Sequence, residues 1–303
     1  MITIGGSDLI AAPIAGYSDV GMRLLCARYG AGLCFTEMVS AKGLFYGNEN
    51  TSALLYTDPE EQNTGVQLFG SEPDIFAEVV RYDCIQKFPL IDVNMGCPVR
   101  KITSNNEGSA LMRSPELIEK IVRSVKQNSG KTVTVKMRLG IDGIMNATEC
   151  ALAAQEGGAD MVTVHGRTKE QLYGGRADLD AIARVKEALR IPLCGNGDVT
   201  DRKSYLSMKE TGADYVMIAR GAMGRPYVFS AVSDVPYSYD VKSAVLYHID
   251  KLCSYLAPKT VLNVMKKQVA CYVYGMRGSK SIKERAFAAC SLEELRNVFD
   301  LSE

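Results

Sequence analysis

Val93-Asn94-Met95-Gly96-Cys97-Pro98 is the stretch of this sequence from which both its fold and its chemistry are best approached. It follows an apolar run, residues 88–91, that is typical of a buried strand. Asn94 falls where that strand should emerge, and Gly96 permits a sharp change of direction. A thiol on a loop just beyond a strand end is well placed to meet a ligand, although most free cysteines only fill space in a core. The rest of the chain decides between these two roles for Cys97.

Seven further apolar runs predict strands, and helical patterns lie between them. The runs begin at Leu9, Leu33, Gly65, Val133, Met161, Ile191 and Tyr215. Capping residues predict helices after Asp19 or Ser18, and after Ser114. Eight consecutive strand-then-helix units over about 215 residues predict a (β/α)8 TIM barrel more strongly than a doubly wound sheet.

The predicted strand ends carry residues that are unusual in strands. In a TIM barrel all these ends converge on one face, where active sites of this fold lie. The residues that would meet there are Pro13, Gln67, Asn94, Lys136, His165, Asn196 and Arg220. This convergence is the strongest indication of an active site that the residues alone provide.

Composition narrows the classes of function. The 303 residues are 47% hydrophobic and 23% charged, as in an ordinary globular protein, and their formal net charge is zero. No apolar run approaches the roughly 20 residues of a membrane-spanning helix, and the N-terminus resembles no signal peptide, so we expect a cytoplasmic protein without a membrane. Nine cysteines without a CxxC pair and only two histidines argue against a disulfide framework and against a metal centre.

The alternation of strands and helices stops near Tyr237. Helical patterns at 241–256, 261–274 and 281–289, and a capping box at residues 291–295, predict a small all-helical domain over 237–303 that follows a barrel domain over 1–236. Between Lys259 and Arg285 seven basic residues stand against Glu284 alone. Such a local basic face can bind phosphates although the whole chain is neutral.

Two glycine-rich loops, residues 195–198 and 219–225, follow the seventh and eighth predicted strands. Loops at these places in barrels often bind a phosphate through backbone N–H groups and helix N-termini. Lys136 is predicted at the mouth of the barrel, the face where the carboxyl ends of the strands meet. A buried ammonium there requires an anionic partner, which a phosphate, an enolate-like oxygen or an electron-rich ring would supply. The alternative is that the side chain extends to the edge of the barrel and keeps its charge in water. His165 and Arg167 are further candidates for polar contacts. This set of residues suits an enzyme that binds flavin mononucleotide (FMN) and uses a loop cysteine for proton transfer.

Seven motifs taken together resemble the tRNA-dihydrouridine synthase family, and the bacterial branch with the broader range of target sites looks most similar. Their order and spacing agree from Ile10 to about Phe229, and the helical tail resembles that family more loosely. The motifs are APIAG (12–16), QLFG (67–70), NMGCP (94–98), GSALM (108–112), VHGRT (164–168), GNGD (195–198) and RGAMGRP (220–226).

The resemblance implies a two-step reaction. NADPH reduces FMN, which then delivers hydride to C6 of a uracil in tRNA while Cys97 donates a proton to C5 as general acid. It implies FMN contacts for the residues Pro13, Ile14, Ala15, Gln67, Lys136 and His165, and phosphate contacts for Asn196, Gly197, Asp198, Ala219, Arg220 and Gly221. It implies substrate contacts near the uracil for Asn94 and Arg167, and contacts along the RNA for Lys266, Lys267 and Arg277. We expect the enzyme to be a monomer.

Other functions remain open from the sequence. A flavin barrel that acts on a free pyrimidine, like dihydroorotate dehydrogenases, would also use a loop cysteine, but it would not need the basic helical tail. A dihydrouridine synthase that acts on ribosomal RNA would share every motif. An RNA-binding or chaperone-like barrel without catalysis would not need Cys97, Lys136 and His165 together. The segment 103–107, with its amide and acidic residues, departs from the more basic loop of many relatives and bears on substrate range.

Overall fold

The strands of the chain form a parallel barrel. A computed structural model describes residues 5–48, 51 and 53–300, and among these eight parallel strands pair into one sheet. They are β1 (Leu9–Ala11), β2 (Cys34–Ser40), β3 (Thr64–Phe69), β4 (Leu90–Met95), β5 (Thr132–Met137), β6 (Met161–His165), β7 (Leu193–Asn196) and β8 (Tyr215–Ile218).

The sheet closes on itself. Its strand order is β1-β8-β7-β6-β5-β4-β3-β2, and a parallel bridge between Ile10 and Leu33 joins β1 to β2. Across this seam the Ala11 N–H donates to the Leu33 carbonyl at 2.9 Å, and the Gly32 N–H donates to the Leu9 carbonyl at 2.8 Å. The predicted (β/α)8 barrel is therefore confirmed, and the alternative of an open doubly wound sheet is wrong.

Helices follow the strands as predicted, and five of the ten described around the barrel begin after a residue whose side chain caps them. Asp19 and Ser114, the predicted caps, accept hydrogen bonds from the N–H groups of Met22 and Leu117. The helices around the barrel are α1 (Val20–Arg28), α2 (Ala41–Phe45), α3 (Pro73–Val79), α4 (Asp83–Gln86), α5 (Arg100–Thr103), α6 (Pro115–Ser129), α7 (Ala147–Glu156), α8 (Leu179–Ala188), α9 (Arg202–Glu210) and α10 (Val228–Ser233). The short helices α2, α4, α5 and α10 were not predicted, and neither was an antiparallel pair of short strands, Gly140–Ile141 with Ile144–Met145.

The tail is helical, with α11 (Val241–Cys253), α12 (Pro258–Tyr272), α13 (Ser279–Ala288) and α14 (Leu292–Arg296). Its buried side chains form a core of their own, which also takes in Leu25 of α1. The predicted capping box of α14 forms only in part: Ser291 accepts from the Glu294 N–H, but the Glu294 carboxylate accepts from the Cys290 N–H instead of that of Ser291. In the described part of the chain no helix is both long and apolar enough to span a membrane.

The interior of the barrel changes character along its axis. An apolar cluster around Phe35, Leu90 and Met161 fills the end where the strands begin. Toward the carboxyl ends the strands instead place polar side chains inside: Gln67, Asp92, Asn94, Thr134, Lys136, His165 and Asn196. A second, larger apolar core lies between the outer faces of the strands and the helices. The apolar packing stabilises the barrel, and the polar layer lies at the face where active sites of this fold are found.

Candidate active site

Polar side chains at the ends of β3, β4 and β5 bond directly to one another. Gln67 donates through Nε2 to Asp92 Oδ2 at 2.7 Å and accepts at Oε1 from Asn94 Nδ2 at 2.8 Å. The hydroxyl of Thr134 donates to Asp92 Oδ1 at 2.6 Å. Because Asp92 is buried, its pKa is raised to about 6, although the two hydrogen bonds and the charge of Lys136 oppose that rise. The chain of bonds fixes the orientation of the Asn94 amide.

Asn94 in turn sets the conformation of the cysteine loop. Its Oδ1 accepts the backbone N–H groups of Gly96 at 3.1 Å and Cys97 at 2.9 Å. Burial raises the pKa of the half-buried Cys97 thiol; a hydrogen bond from the Val99 N–H and the charges of Arg138 and Lys136 oppose that rise without cancelling it. The thiol therefore keeps its proton at neutral pH and can act as an acid.

Lys136 lies beside Asn94 in the register of β4 and β5. Among the described residues no carboxylate forms an ion pair with its ammonium group, and no acceptor hydrogen-bonds to it. Burial and the neighbouring Arg138 lower the pKa of Lys136 to about 8, while the charge of Asp92 acts in the opposite direction. The structure thus presents a cation without a direct partner at the mouth, as an anion-binding role requires.

Arg138, which the sequence analysis did not single out, connects two loops of the mouth. Its Nε donates to the Gly96 carbonyl at 2.9 Å, next to Cys97. Its Nη1 donates to the carbonyls of Thr168 at 2.8 Å and Leu172 at 2.9 Å, in the loop after β6. A buried guanidinium with three carbonyl acceptors holds the loop of Cys97 at a fixed distance from the loop after β6.

At the end of β6, across the mouth from Cys97, His165 and Arg167 are buried next to each other. Burial, followed by the positive charge of Lys136 and of three arginines, lowers the pKa of His165 to about 2, so the imidazole is neutral. Arg167 is 1% exposed and donates to the carbonyls of Gly174 and Gly175, each at 2.9 Å. Its Nη1 lies 3.3 Å from His165 Nε2. Most donors of this guanidinium are therefore used within the protein.

Asp198 joins the two glycine-rich loops. Its carboxylate accepts from Arg167 Nη2 at 2.6 Å and 2.8 Å, from Arg220 at 3.2 Å and from the Ala177 N–H at 2.9 Å. Burial would raise the pKa of Asp198, but the hydrogen bonds and both guanidinium charges hold it below its ordinary value. The acidic side chain is thus turned toward arginines, which leaves the loop backbone available to an anion.

The backbone of the two loops fits an anion-binding role. Among the described residues no acceptor receives a hydrogen bond from the N–H groups of Gly197 and Asp198. Gly221 allows the loops to approach closely, because a Cβ there would lie 2.3 Å from the Val199 carbonyl oxygen. Asn196 donates to the Met217 carbonyl at 2.7 Å and ties β7 to β8 below the loops. Donors aimed away from protein acceptors are what a phosphate needs.

The loop after β1 lies beside these two loops, because β1 pairs with β8. The Ile14 N–H donates to the Ser18 hydroxyl at 2.8 Å, and this hydroxyl donates to the Ala12 carbonyl at 3.0 Å. A small cleft opens there, with a cavity volume of about 20 Å³ and lining residues that include Ala12, Ile14, Tyr17, Ala219 and Met223. The structure thus brings Ile14 and Ala219, two of the predicted cofactor residues, to one cleft.

The predicted RNA-contacting residues lie on the tail. Lys266 and Lys267 belong to α12, where Lys267 is exposed and Lys266 half-buried, and the exposed Arg277 lies in the turn before α13. No ion pair joins any of the three to a carboxylate within the described ranges. Likewise, no group of three or more metal-ligating side chains is present there.

Asp92, Thr134 and Arg138 are residues of the site that the sequence analysis missed. Asp92 interrupts the apolar run of β4 two residues before Asn94, so the two side chains point into the barrel together. That alternation was a usable signal. Arg138 follows Lys136 by the same interval, but its carbonyl partners lie on loops, whose course the sequence does not define.

Comparison with known proteins identifies relatives over nearly the whole chain. The profile of the family described as dihydrouridine synthase (Dus) matches residues 9–302. The tRNA-dihydrouridine synthase B of Xanthomonas axonopodis is 37% identical over 275 residues, which cover 87% of this chain and 83% of that protein. The tRNA-dihydrouridine synthase B of Vibrio parahaemolyticus is 32% identical over 311 residues, which cover 97% and 96%.

Among solved structures, the nitroalkane oxidase of Streptomyces ansochromogenes covers 73% of this chain and 67% of its own, with 18% identity and a TM-score of 0.44. FabK from Thermotoga maritima covers 72% of this chain and 59% of its own, with 14% identity and a TM-score of 0.46. With TM-scores below 0.5, both likenesses are weak.

Proposed function

This chain belongs to the dihydrouridine synthase family, and from that premise we propose that it reduces the C5=C6 bond of specific uridines in tRNA with FMN and NADPH. One observation carries the proposal. Cys97 is a protonated, half-buried thiol on a loop that Asn94 and Arg138 hold in place, and it lies at the barrel face that also presents unpartnered loop N–H groups. A proton donor and an anion-binding site at one mouth suit the reduction of a uracil ring by a phosphorylated cofactor.

The residues present fit FMN. The N–H groups of Gly197 and Asp198, with Arg220 beside them, would hold the phosphate, supported by Asn196, Ala219 and Gly221. Gln67, Lys136 and His165 would contact the ring or the ribityl chain, and residues 13–15 would contact the ring beside the cleft. A lysine cation close to the ring stabilises negative charge on it, while the neutral His165 adds no repulsion to that cation.

When bound and reduced with NADPH, FMN would supply the hydride equivalent for C6 of the uracil. Cys97 donates its proton to C5 from the other side, and the thiol is suited to this because burial keeps its pKa raised. Asn94 fixes the Cys97 backbone, and its amide Nδ2 donates to Gln67 Oε1 at 2.8 Å and lies 3.9 Å from Met38 Sδ. A sulfur is a weak acceptor, so a uracil carbonyl would replace Met38 as the partner of that N–H. Arg167 would affect substrate binding indirectly, because its hydrogen bonds to the carbonyls of Gly174 and Gly175 fix the loop that faces the substrate.

The RNA would bind across the mouth and the tail. A uridine in folded RNA must leave its stack to reach the ring, as bases do in other base-modifying enzymes. Lys266, Lys267 and Arg277 would contact the phosphate backbone with little sequence readout, so the affinity should fall as salt rises. We propose that the enzyme acts in the cytoplasm as a monomer.

The test is reconstitution with an unmodified tRNA transcript. The purified chain would be incubated with FMN, NADPH and the transcript, and dihydrouridine would be mapped by mass spectrometry of nuclease fragments. We expect a gain of two hydrogens at defined uridines, which depends on NADPH. A protein that binds FMN but leaves both tRNA and ribosomal RNA unchanged, and that turns over dihydroorotate or free uracil, would instead be the small-pyrimidine enzyme.

A further inference from the structure

A buried polar cluster joins the helical tail to the start of α1. His248 of α11 is 0% exposed, and its Nε2 lies 2.6 Å from Asp19 Oδ1 while its Nδ1 lies 2.9 Å from the Tyr272 hydroxyl. Gln268 of α12 is 1% exposed and donates to Asp19 Oδ2 at 3.2 Å. Such a cluster is costly unless its members satisfy one another, and this one ties two tail helices to a single barrel residue.

Asp19 is the cap of α1, so the cluster acts at the point where the loop after β1 enters its helix. The same Oδ1 that contacts His248 accepts the Met22 N–H at 3.0 Å. Gln268 also donates to the Gly16 carbonyl at 3.4 Å, inside that loop. On the barrel side, the Gly16 N–H donates to Glu37 Oε2 at 2.7 Å. The loop is therefore held from the barrel on one side and from the tail on the other.

Two glycines show how closely the tail approaches the barrel. A Cβ at Gly21 of α1 would lie 2.2 Å from His248 Cδ2, so glycine is required for the imidazole to reach the helix backbone. A Cβ at Gly224, in the loop after β8, would lie 2.3 Å from the backbone of Cys271 in α12. One tail helix thus contacts the loops after both β1 and β8, which are the loops that line the cleft at Ile14 and Ala219.

We propose that Gln268 is a positioning residue for the cofactor site: by holding Gly16 and Asp19, it sets the conformation of residues 13–17, so that the tail is a structural part of the FMN site. The proposal rests on the proposed function, because residues 13–15 are expected to contact FMN. Gln268 itself is buried, and its two hydrogen bonds go to Gly16 and Asp19. The next residue of α12, Lys267, is turned about 100° around the helix and is exposed to solvent, so one helix would serve RNA and cofactor on different faces.

The test compares Gln268→Met, which keeps the length of the side chain and removes its amide, with Asn263→Met on the exposed face of the same helix. Fluorescence titration would give the dissociation constant for FMN, and thermal unfolding of the cofactor-free protein would report stability. We expect Gln268→Met to weaken FMN binding about fivefold to tenfold, as the loss of one or two hydrogen bonds allows, and Asn263→Met to bind as the unaltered protein does.

A second variant separates positioning from general destabilisation. His248→Gln can still place an amide N–H toward Asp19, whereas His248→Leu cannot, so we expect only the leucine variant to weaken FMN binding. The inference would be overturned if Gln268→Met bound FMN with unaltered affinity, or if every variant weakened binding only in proportion to its loss of thermal stability. Failure of the unaltered protein to bind FMN would overturn the proposed function itself, and this inference with it.

Discussion

At the ends of β3 to β5 the polar side chains of the mouth bond to one another, whereas at the ends of β6 to β8 they bond to backbone carbonyls and to a cluster of charged side chains. We call these two sides of the mouth walls. In the first wall, the Cys97 wall, hydrogen bonds run from Asp92 through Gln67 to Asn94 and the loop of Cys97. The second wall holds Arg167, Asp198 and Arg220 together, and no acceptor among the described residues receives the N–H groups of Gly197 and Asp198. A wall of linked side chains can orient a proton donor, and a wall of backbone donors can bind an anion. The difference suggests that rate and cofactor affinity are determined on opposite sides of one mouth.

The sharpest test of this division is Cys97→Ala. It should reduce dihydrouridine formation by about 10² to 10⁴, the usual contribution of a general acid, and leave FMN affinity unchanged. Single-turnover oxidation of the reduced enzyme by tRNA would measure the first effect, and fluorescence titration the second. Cys253→Ala, at an exposed cysteine of α11, serves as the control. Full activity of Cys97→Ala would remove the proposed acid.

Gly221→Ala should break the other wall. Its Cβ would lie 2.3 Å from the Val199 carbonyl, so one of the two glycine-rich loops must shift. We expect FMN to bind about 10- to 100-fold more weakly, while the rate at saturating FMN changes little because the Cys97 wall is intact. Titration and saturation kinetics separate the two quantities. A lower saturated rate with normal FMN affinity would contradict the division between the walls.

Lys136→Met should separate function from stability. The pKa of Lys136 is lowered to about 8 mainly by burial, so the folded protein holds this cation at a cost. A neutral side chain of similar length should raise the free energy of unfolding of the cofactor-free protein by about 2 kcal/mol at pH 7, and it should lower the rate. Urea denaturation measures the first effect. Lys131→Met, just before the other end of β5, is the matched control and should produce neither change.

The smallest effect concerns Asp92. Its pKa is raised to about 6, above the value near 4 of an unfolded chain, so between these values the folded state holds a proton that the unfolded state has lost. The stability that this group contributes is therefore complete below pH 4 and is lost as the pH rises through 6. Asp92→Asn should flatten that decline by about 1 kcal/mol between pH 5 and pH 7, as urea denaturation at the two pH values would show. An unaltered slope would assign the decline to other groups.

The sequence predicts the barrel well because its signals are local. Apolar runs marked all eight strands, and Asp19 and Ser114 marked helix starts through their own side chains. Strand boundaries depend also on pairing: β2 continues to Ser40, after its register with β3 shifts between Phe35 and Met38.

The candidate site was only partly predictable, for a physical reason. Residues at strand ends could be assigned to one face because the fold brings all strand ends together. The partners of those residues depend on contacts between distant segments, such as Asp19 with His248, which are 229 positions apart. No local pattern records such a contact. The same holds for Arg138, whose acceptors are carbonyls of loops.

The seam between β1 and β2 has a consequence for motion. β1 is three residues long, and within the described residues its pairing with β2 is a single bridge between Ile10 and Leu33. A closed barrel opens most easily where its ladder is thinnest, so deuterium should replace the amide protons of Ala11 and Gly32 sooner than those in the middle of β4. α1 and the tail pack beside this seam. We therefore expect the slowest motions of the loop after β1 to follow the opening and closing of the barrel at the seam.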